Sequence, residues 1–132
     1  MMLFVELALI TLAILQFKHW YIDFVNQTPD EVAHKGIYGD PIGISHSVKH
    51  GLATFVIFWV LGAGVELSLL LSVIDTVLHY HIDWAKMRFG NRNVETPAFW
   101  AQLGLDQMAH QLTYLGLDGK RMEVFNFNRI CC

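Results

Sequence analysis

Four short pairs of metal-binding side chains recur along this chain, and the two members of each pair are four residues apart. The pairs are His19 with Asp23, His46 with His50, His79 with Asp83, and Asp106 with His110. Residues i and i+4 lie on one face of an α-helix, so each pair presents two ligand groups in one direction. Helical bundles build internal metal sites in this way, because several helices each donate inward-facing His and carboxylate groups.

The composition indicates a membrane protein. Hydrophobic residues make up 54% of the chain and charged residues 16%, against about 25% charged in typical soluble domains. The mean hydropathy is +0.38. The net charge is −3, and nucleic-acid binding usually requires a basic surface. We therefore expect no nucleic-acid partner.

The apolar residues fall into four segments, each close to the ~20 residues that cross a bilayer. They run over Met2–Val25, Ser45–Val65, Leu67–Phe89 and Pro97–Leu117. The sequence therefore predicts an all-α fold, a four-helix transmembrane bundle with up-down-up-down topology over residues 1–117, and a C-terminal tail over residues 118–132. Segments one and two are the most apolar, and a strict hydropathy window is expected to miss segment four.

The connections between the segments differ in character. The first is polar and contains Thr28-Pro29-Asp30-Glu31, the signature of an N-cap, a proline at N1 and a glutamate at N3. It predicts a short surface helix over Pro29–Lys35. Segments two and three are joined by Gly62-Ala63-Gly64, which predicts a tight helical hairpin.

Basic residues predict the orientation. Six of them flank the first and third connections, and three lie on the other side, at Lys120, Arg121 and Arg129. The positive-inside rule then places both connections in the cytoplasm and both termini outside, in an inner membrane. Met1–Phe17 lacks a basic n-region, so we expect a retained helix rather than a cleaved signal. Cys131 and Cys132 cannot staple a core; they are a lipidation site or a chance tail.

Antiparallel packing would bring all four pairs to the same, cytoplasmic, side of the membrane. The eight donors, five imidazoles and three carboxylates, contain no sulfur, which favours zinc first and iron or manganese as alternatives. They suffice for one ion whose ligands are hydrogen-bonded to the remaining donors, or for two ions. The alternative without metal is a set of hydrogen bonds between helices.

Four further residues could support the ligands from outside: Gln27, Asp75, Lys86 and Gln107. Asp75 lies one turn before His79 and either orients it or bonds a neighbouring helix. Lys86 could pair with Asp83 or an anionic headgroup, or extend to the interface. His34 is expected to be solvated, and His81 to face away from the site.

The ordered motifs resemble the family called domain of unknown function 3307, small multi-pass membrane proteins of bacteria and phages. The resemblance spans residues 10–117 and is carried by the motif from His19 to Gln27, the pair His46 and His50, the motif from His79 to Lys86, and Asp106 to His110. A looser similarity links the chain to bacterial inner-membrane metal-dependent hydrolases. The family pattern has Asn-Lys where this chain has Ala33-His34-Lys35, so the resemblance assigns Lys35 no role.

Two functions compete most closely. The first is a metal-dependent hydrolase of a lipid or lipid-linked substrate, in which Asp23, Asp83 or Asp106 stays off the metal as general base. The second is a non-catalytic, metal-stabilised scaffold that binds a membrane protein partner, for example in phage–host interaction. Ion or proton transport and di-iron oxygenation are weaker alternatives, because the donors cluster at one side and denser His clusters are absent.

Overall fold

The computed structural model describes the backbone of residues 2–131 and the side chains of residues 3–127. The described residues are helical or in connections, and they contain no strand. The helices are α1 (Met2–Trp20), α2 (Pro29–His34), α3 (Pro41–Val60), α4 (Val65–Phe89) and α5 (Pro97–Cys131). A π-helical turn, Tyr21–Asn26, extends α1 directly. The predicted all-α class is confirmed.

Local signals in the sequence account for most helix ends. Thr28 caps α2 in a capping box with Glu31, as predicted. Asp40 caps α3 by accepting hydrogen bonds from the Ile42 and Gly43 amides. The turn between α3 and α4 contains Gly62 and Gly64, with φ angles of +84° and +76°. Only glycine adopts such angles without strain, which explains the tight hairpin predicted there.

The four long helices pack in a closed order. Helix α1 contacts α3 and α5, α3 contacts α4, and α4 contacts α5, while the short α2 lies on α3. The most extensive interface joins α3 and α4. This order brings the four ligand pairs within reach of one another.

The interior and exterior are inverted relative to a soluble domain. Among the described residues, the buried large apolar side chains are Leu15, Ile22, Phe58, Leu71, Tyr114 and Leu117. The buried polar and charged residues are far more numerous and include lysine, arginine, aspartate and histidine. Large apolar side chains instead cover the outside; Leu9, Leu52 and Val60 are 62%, 62% and 72% exposed.

Among the described residues, two helical stretches are long and apolar enough to cross a membrane, Leu3–Asn26 and Val65–Phe89. The prediction of four spans, with segments one and two the clearest, is therefore only partly confirmed. Segment two is not apolar enough over its helical part to count as a span. Helix α3 ends at Val60, so the residues from Leu61 to Gly64 lie in the turn. His46, Lys49 and His50 lower the hydropathy of the helix that remains.

The predicted tail is not separate from the last helix. Helix α5 runs without interruption through Leu117 to Cys131; Gly119 does not end it, and no proline follows Leu117 in this sequence. The side chain of Arg121 is buried and bonds Thr11 of α1 (2.9 Å), so the continuation contacts the other helices.

Candidate metal centre

The first pair lies at the junction of α1 and its π-helical turn. His19 Nε2 is 3.2 Å from Asp23 Oδ2, so the pair faces one way as predicted. The wider turn was not predicted from the sequence. Such turns are frequent at functional sites, and here Asp23 lies within the turn and is buried in the centre of the cluster.

The second pair, on α3, converges on the same aspartate. His46 Nε2 and His50 Nε2 lie 2.9 and 3.1 Å from Asp23 Oδ1. His79 Nε2, from α4, is 3.8 Å from that oxygen. The three imidazoles are fully buried, and His50 stacks on His79 with ring centroids 3.6 Å apart.

The third and fourth pairs meet across α4 and α5. His79 Nε2 is 3.2 Å from Asp83 Oδ2, and His110 Nε2 is 3.4 Å from Asp83 Oδ1. His110 Nε2 is also 3.7 Å from Asp106 Oδ1 within its own pair. All eight predicted ligand residues are thus buried in one cluster at one end of the long helices.

Within the cluster, three overlapping groups have ligand atoms less than 4.8 Å apart. They are Asp23, His46, His50 and His79; His19, His79 and His110; and Asp23, His79, Asp83 and His110. Zinc–nitrogen and zinc–oxygen bonds of about 2.0–2.1 Å place tetrahedral ligands roughly 3.3 Å apart. The observed spacing of 2.9–3.8 Å around Asp23 therefore fits a shared ion. Asp106 belongs to none of the three groups.

Unsatisfied polar atoms also fit a cation in the cluster. His79 Nε2, His110 Nε2 and Asp106 Oδ1 are buried without a hydrogen-bond partner among the described residues. Buried polar atoms are otherwise almost always paired, so such a group calls for an explanation. The Nδ1 atoms of His46, His50 and His79 also lack partners among the described residues, which departs from the usual pattern in which a ligating histidine donates its other ring N–H to an acceptor.

The four supporting residues lie in different places. Gln107 bridges the pairs: its Oε1 is 3.0 Å from His19 Nε2 and its Nε2 donates to Asp106 Oδ2. Gln27 donates to the backbone carbonyl of Asp23 (2.9 Å). Lys86 lies 3.6 Å from Asp106 Oδ2, so its observed carboxylate contact is Asp106.

Asp75 bonds a neighbouring helix, which was the second of its two predicted roles. Its Oδ2 is 2.9 Å from Lys18 Nζ and accepts a hydrogen bond from the Thr54 hydroxyl (2.5 Å). The described contacts of Asp75 do not include His79. Lys18 also donates to the His50 carbonyl (3.5 Å), which links this ion pair to the ligand helix α3.

The remaining histidines lie as expected. His81 is exposed and contacts the Tyr38 hydroxyl (3.2 Å), away from the cluster. His34 is partly exposed and bonds only the carbonyl of Asp30 among its described contacts.

Sequence reasoning missed three buried partners of the cluster. Lys35 Nζ is 2.8 Å from Asp83 Oδ2 and 3.6 Å from Asp23 Oδ1. The Tyr114 hydroxyl lies 2.9 Å from His19 Nδ1. Tyr114 could have been found, because it follows His110 by four residues on the same helix face. Lys35 could not, because the path of the polar connection is not encoded by a periodic pattern.

Glu31 is the third partner and closes the cluster from the side of α2. It accepts from Lys49, and its Oε1 is 3.8 Å from His46 Nδ1. Burial alone would raise the pKa of Glu31, but the hydrogen bonds from Lys49 and the Thr28 amide outweigh it and hold this pKa below its usual value.

Comparison with known proteins places the chain in a family. No curated protein and no solved structure matches the chain, so the looser similarity to metal-dependent hydrolases is without support from these comparisons. The family described as "Protein of unknown function (DUF3307)" matches residues 10–117, and all eight clustered His and Asp residues lie within that range. The chain therefore belongs to the DUF3307 family.

Proposed function

We propose that this protein is a multi-pass membrane protein with an internal divalent-metal centre, and that the centre hydrolyses a lipid or lipid-linked substrate. The observation that carries the proposal is the burial of five histidines and three aspartates in one cluster inside an apolar shell. Three buried carboxylates would be costly in a bilayer, and the buried Lys35 ammonium balances only one of these charges. A bound ion offsets that cost.

The inverted surface supports the membrane assignment. Only 22% of the residues in the apolar window of α1 and its π-helical turn are buried, and 28% in the window of α4. An apolar core helix of a soluble protein is mostly buried, whereas these helices expose their apolar faces. The basic residues around the first and third connections favour a centre near the cytoplasmic face, with both termini outside.

The donor set favours zinc and accommodates one or two ions. His79 belongs to all three ligand groups, and Asp23 and His110 each belong to two, so the groups overlap and could share an ion or hold two. A divalent ion held there supplies Lewis acidity, which polarises a carbonyl or phosphoryl oxygen and acidifies a water molecule.

Asp106 is the strongest candidate for the general base among Asp23, Asp83 and Asp106. It lies outside the three ligand groups, and its Oδ1 is free of hydrogen bonds within the described residues. Gln107 holds the other oxygen, Oδ2, at 3.0 Å. A carboxylate fixed in this way beside the ligands can accept a proton from an attacking water.

One observation favours the scaffold alternative. Lys35 and Glu31 are buried over the cluster, 7% and 5% exposed, and they close it from the side of the first connection. A closed centre is typical of structural metal sites. The scaffold would need the metal but not a free carboxylate.

The experiment compares Asp106→Asn with the wild type. The purified protein in detergent is incubated with defined phospholipids, released products are identified by mass spectrometry, and bound metal is measured in the same samples. The proposal predicts that Asp106→Asn keeps its metal and loses turnover at least about 100-fold, the usual effect of removing a general base. The exposed His81→Ala is the matched control. If the wild type bound metal but released no product, the hydrolase proposal would be wrong and the scaffold alternative would be supported.

A further inference from the structure

An open cavity of about 410 Å³ lies between α4 and α5, beside the cluster. Apolar residues form most of its wall, among them Ile82, Phe89, Leu105 and Ala109, and the charged residues that line it are Lys86 and Asp106. Leu105 and Phe89 are 60% and 72% exposed. The cavity therefore opens on the apolar exterior of the helices and not on the first connection.

Asp106 connects this cavity to the centre. The residue lines the cavity, and its Oδ1 is 3.7 Å from His110 Nε2. A molecule in the cavity would therefore lie beside Asp106 without passing Lys35 or Glu31, although Asp106 Oδ1 itself is buried. The cavity thus borders the cluster on a side that Lys35 and Glu31 do not cover.

Lys86 gives the cavity its charge preference. Its side chain is 27% exposed, and its Nζ is 3.6 Å from Asp106 Oδ2, longer than a hydrogen bond. The ammonium group thus retains donors for a second anion, and it lies in the last turn of α4. Such a position at a helix end corresponds to the depth of lipid headgroups.

We propose that the cavity binds an anionic phospholipid, with one acyl chain along the apolar wall and the phosphate on Lys86. This inference rests on the proposed function, because it identifies the molecule that reaches Asp106 as a phospholipid. The lysine separates the phosphate from the carboxylate, so the two anions do not repel each other directly. An uncharged diacylglycerol fits the wall equally but leaves Lys86 without its second partner.

The charge is tested by native mass spectrometry of the full chain in detergent. The protein is titrated with dioleoyl phosphatidylglycerol and with dioleoylglycerol, which has the same acyl chains and no phosphate. We expect the wild type to prefer the phospholipid by roughly tenfold, the effect of one hydrogen bond to a charged group. Lys86→Gln should abolish this preference, and Arg88→Gln, which removes an exposed charge in the same helical turn, should keep it.

The wall is tested by filling it. Ala85 lines the cavity, so Ala85→Trp should weaken binding of both lipids by at least about tenfold through lost apolar contact. Leu115→Trp places the same indole on an exposed face of α5 outside this cavity and should bind both lipids as the wild type does.

Metal content measured in the same samples separates the two proposals. Loss of preference in Lys86→Gln and weakened binding in Ala85→Trp, with metal retained, support the cavity site. If Lys86→Gln kept the tenfold preference, or Ala85→Trp bound like Leu115→Trp, the cavity proposal would be overturned while the metal centre stood. If the wild type contained no metal but still preferred the phospholipid, the proposed function would be overturned and the lipid site would be supported.

Discussion

The buried ion pair between Lys18 and Asp75 offers the sharpest test of how the interior is held together. Lys18 Nζ is 2.9 Å from both Asp75 Oδ2 and Thr54 Oγ1, and the two charged residues are 7% and 1% exposed. Lys18→Met leaves the Asp75 carboxylate buried with only the Thr54 hydroxyl as a described donor. Asp75→Asn leaves the ammonium buried without its counter-charge.

Each single substitution should destabilise the protein by about 3–5 kcal/mol, the cost of stranding one charge of a buried pair. The double variant, Lys18→Met with Asp75→Asn, contains neither charge. It should therefore be less destabilised than either single variant, because replacing a whole buried pair is often neutral. The exposed pair Lys120–Glu123, with side chains 59% and 71% exposed, supplies the control; Lys120→Met should cost less than about 1 kcal/mol.

The assay is unfolding in mixed micelles, followed by far-ultraviolet circular dichroism, with metal content measured on the folded samples. We expect the double variant to keep its metal, since Asp75 contacts no ligand side chain among the described residues. A double variant less stable than both single variants would refute the ion-pair argument. Loss of metal in Asp75→Asn with no loss of stability would instead show that Asp75 orients His79.

Three further predictions concern the packing, the pH dependence and the metal affinity. Gly51→Ala should destabilise the protein by about 1–3 kcal/mol, because the new Cβ would overlap the Thr76 side chain and lie 3.1 Å from a backbone oxygen of α4. Gly104→Ala, whose new Cβ would have no atom of another element within 4 Å, should instead stabilise the protein by about 0.5–1 kcal/mol. Thermal melts measure both changes. The lowered pKa of Glu31 means that its stabilisation is complete at neutral pH and lost as pH falls through that pKa; Glu31→Gln should flatten the acid limb of the melting profile, and an unchanged limb would contradict this. Lys35→Met should raise zinc affinity roughly tenfold in a chelator competition, because the ion would no longer compete with the Lys35 ammonium for the Asp83 and Asp23 carboxylates. Weaker binding would show that Lys35 supports the ligands instead.

The sequence predicts the cluster well because its geometry follows from two regular features. Spacing of four residues fixes the direction of each pair on its helix, and antiparallel packing fixes the end at which the pairs meet. His19 at the end of α1, His46 near the start of α3 and His79 in the second half of α4 therefore lie together, as predicted. That these residues bind metal stays a prediction.

The remaining contacts depend on irregular backbone and long side chains. The π-helical turn that holds Asp23 has no sequence signature comparable to a capping box. Lys18 and Lys35 contact buried carboxylates from positions where a lysine usually extends its charged group to water. Their role in the interior therefore could not be predicted from the sequence. The predicted boundary at Leu117 lies where the hydropathy of the sequence falls. A fall in hydropathy ends an apolar segment but does not end a helix, so α5 continues past Leu117.

Metal per chain is the measurement that tests the account most directly. Elemental analysis of the detergent-purified protein should find at least one divalent ion in the wild type and in His81→Ala, whose imidazole is exposed on α4. His79→Ala should lose that metal, because His79 belongs to all three ligand groups. Absence of metal from the wild type, or equal metal in His79→Ala and His81→Ala, would contradict the metal centre and leave a hydrogen-bonded polar interior.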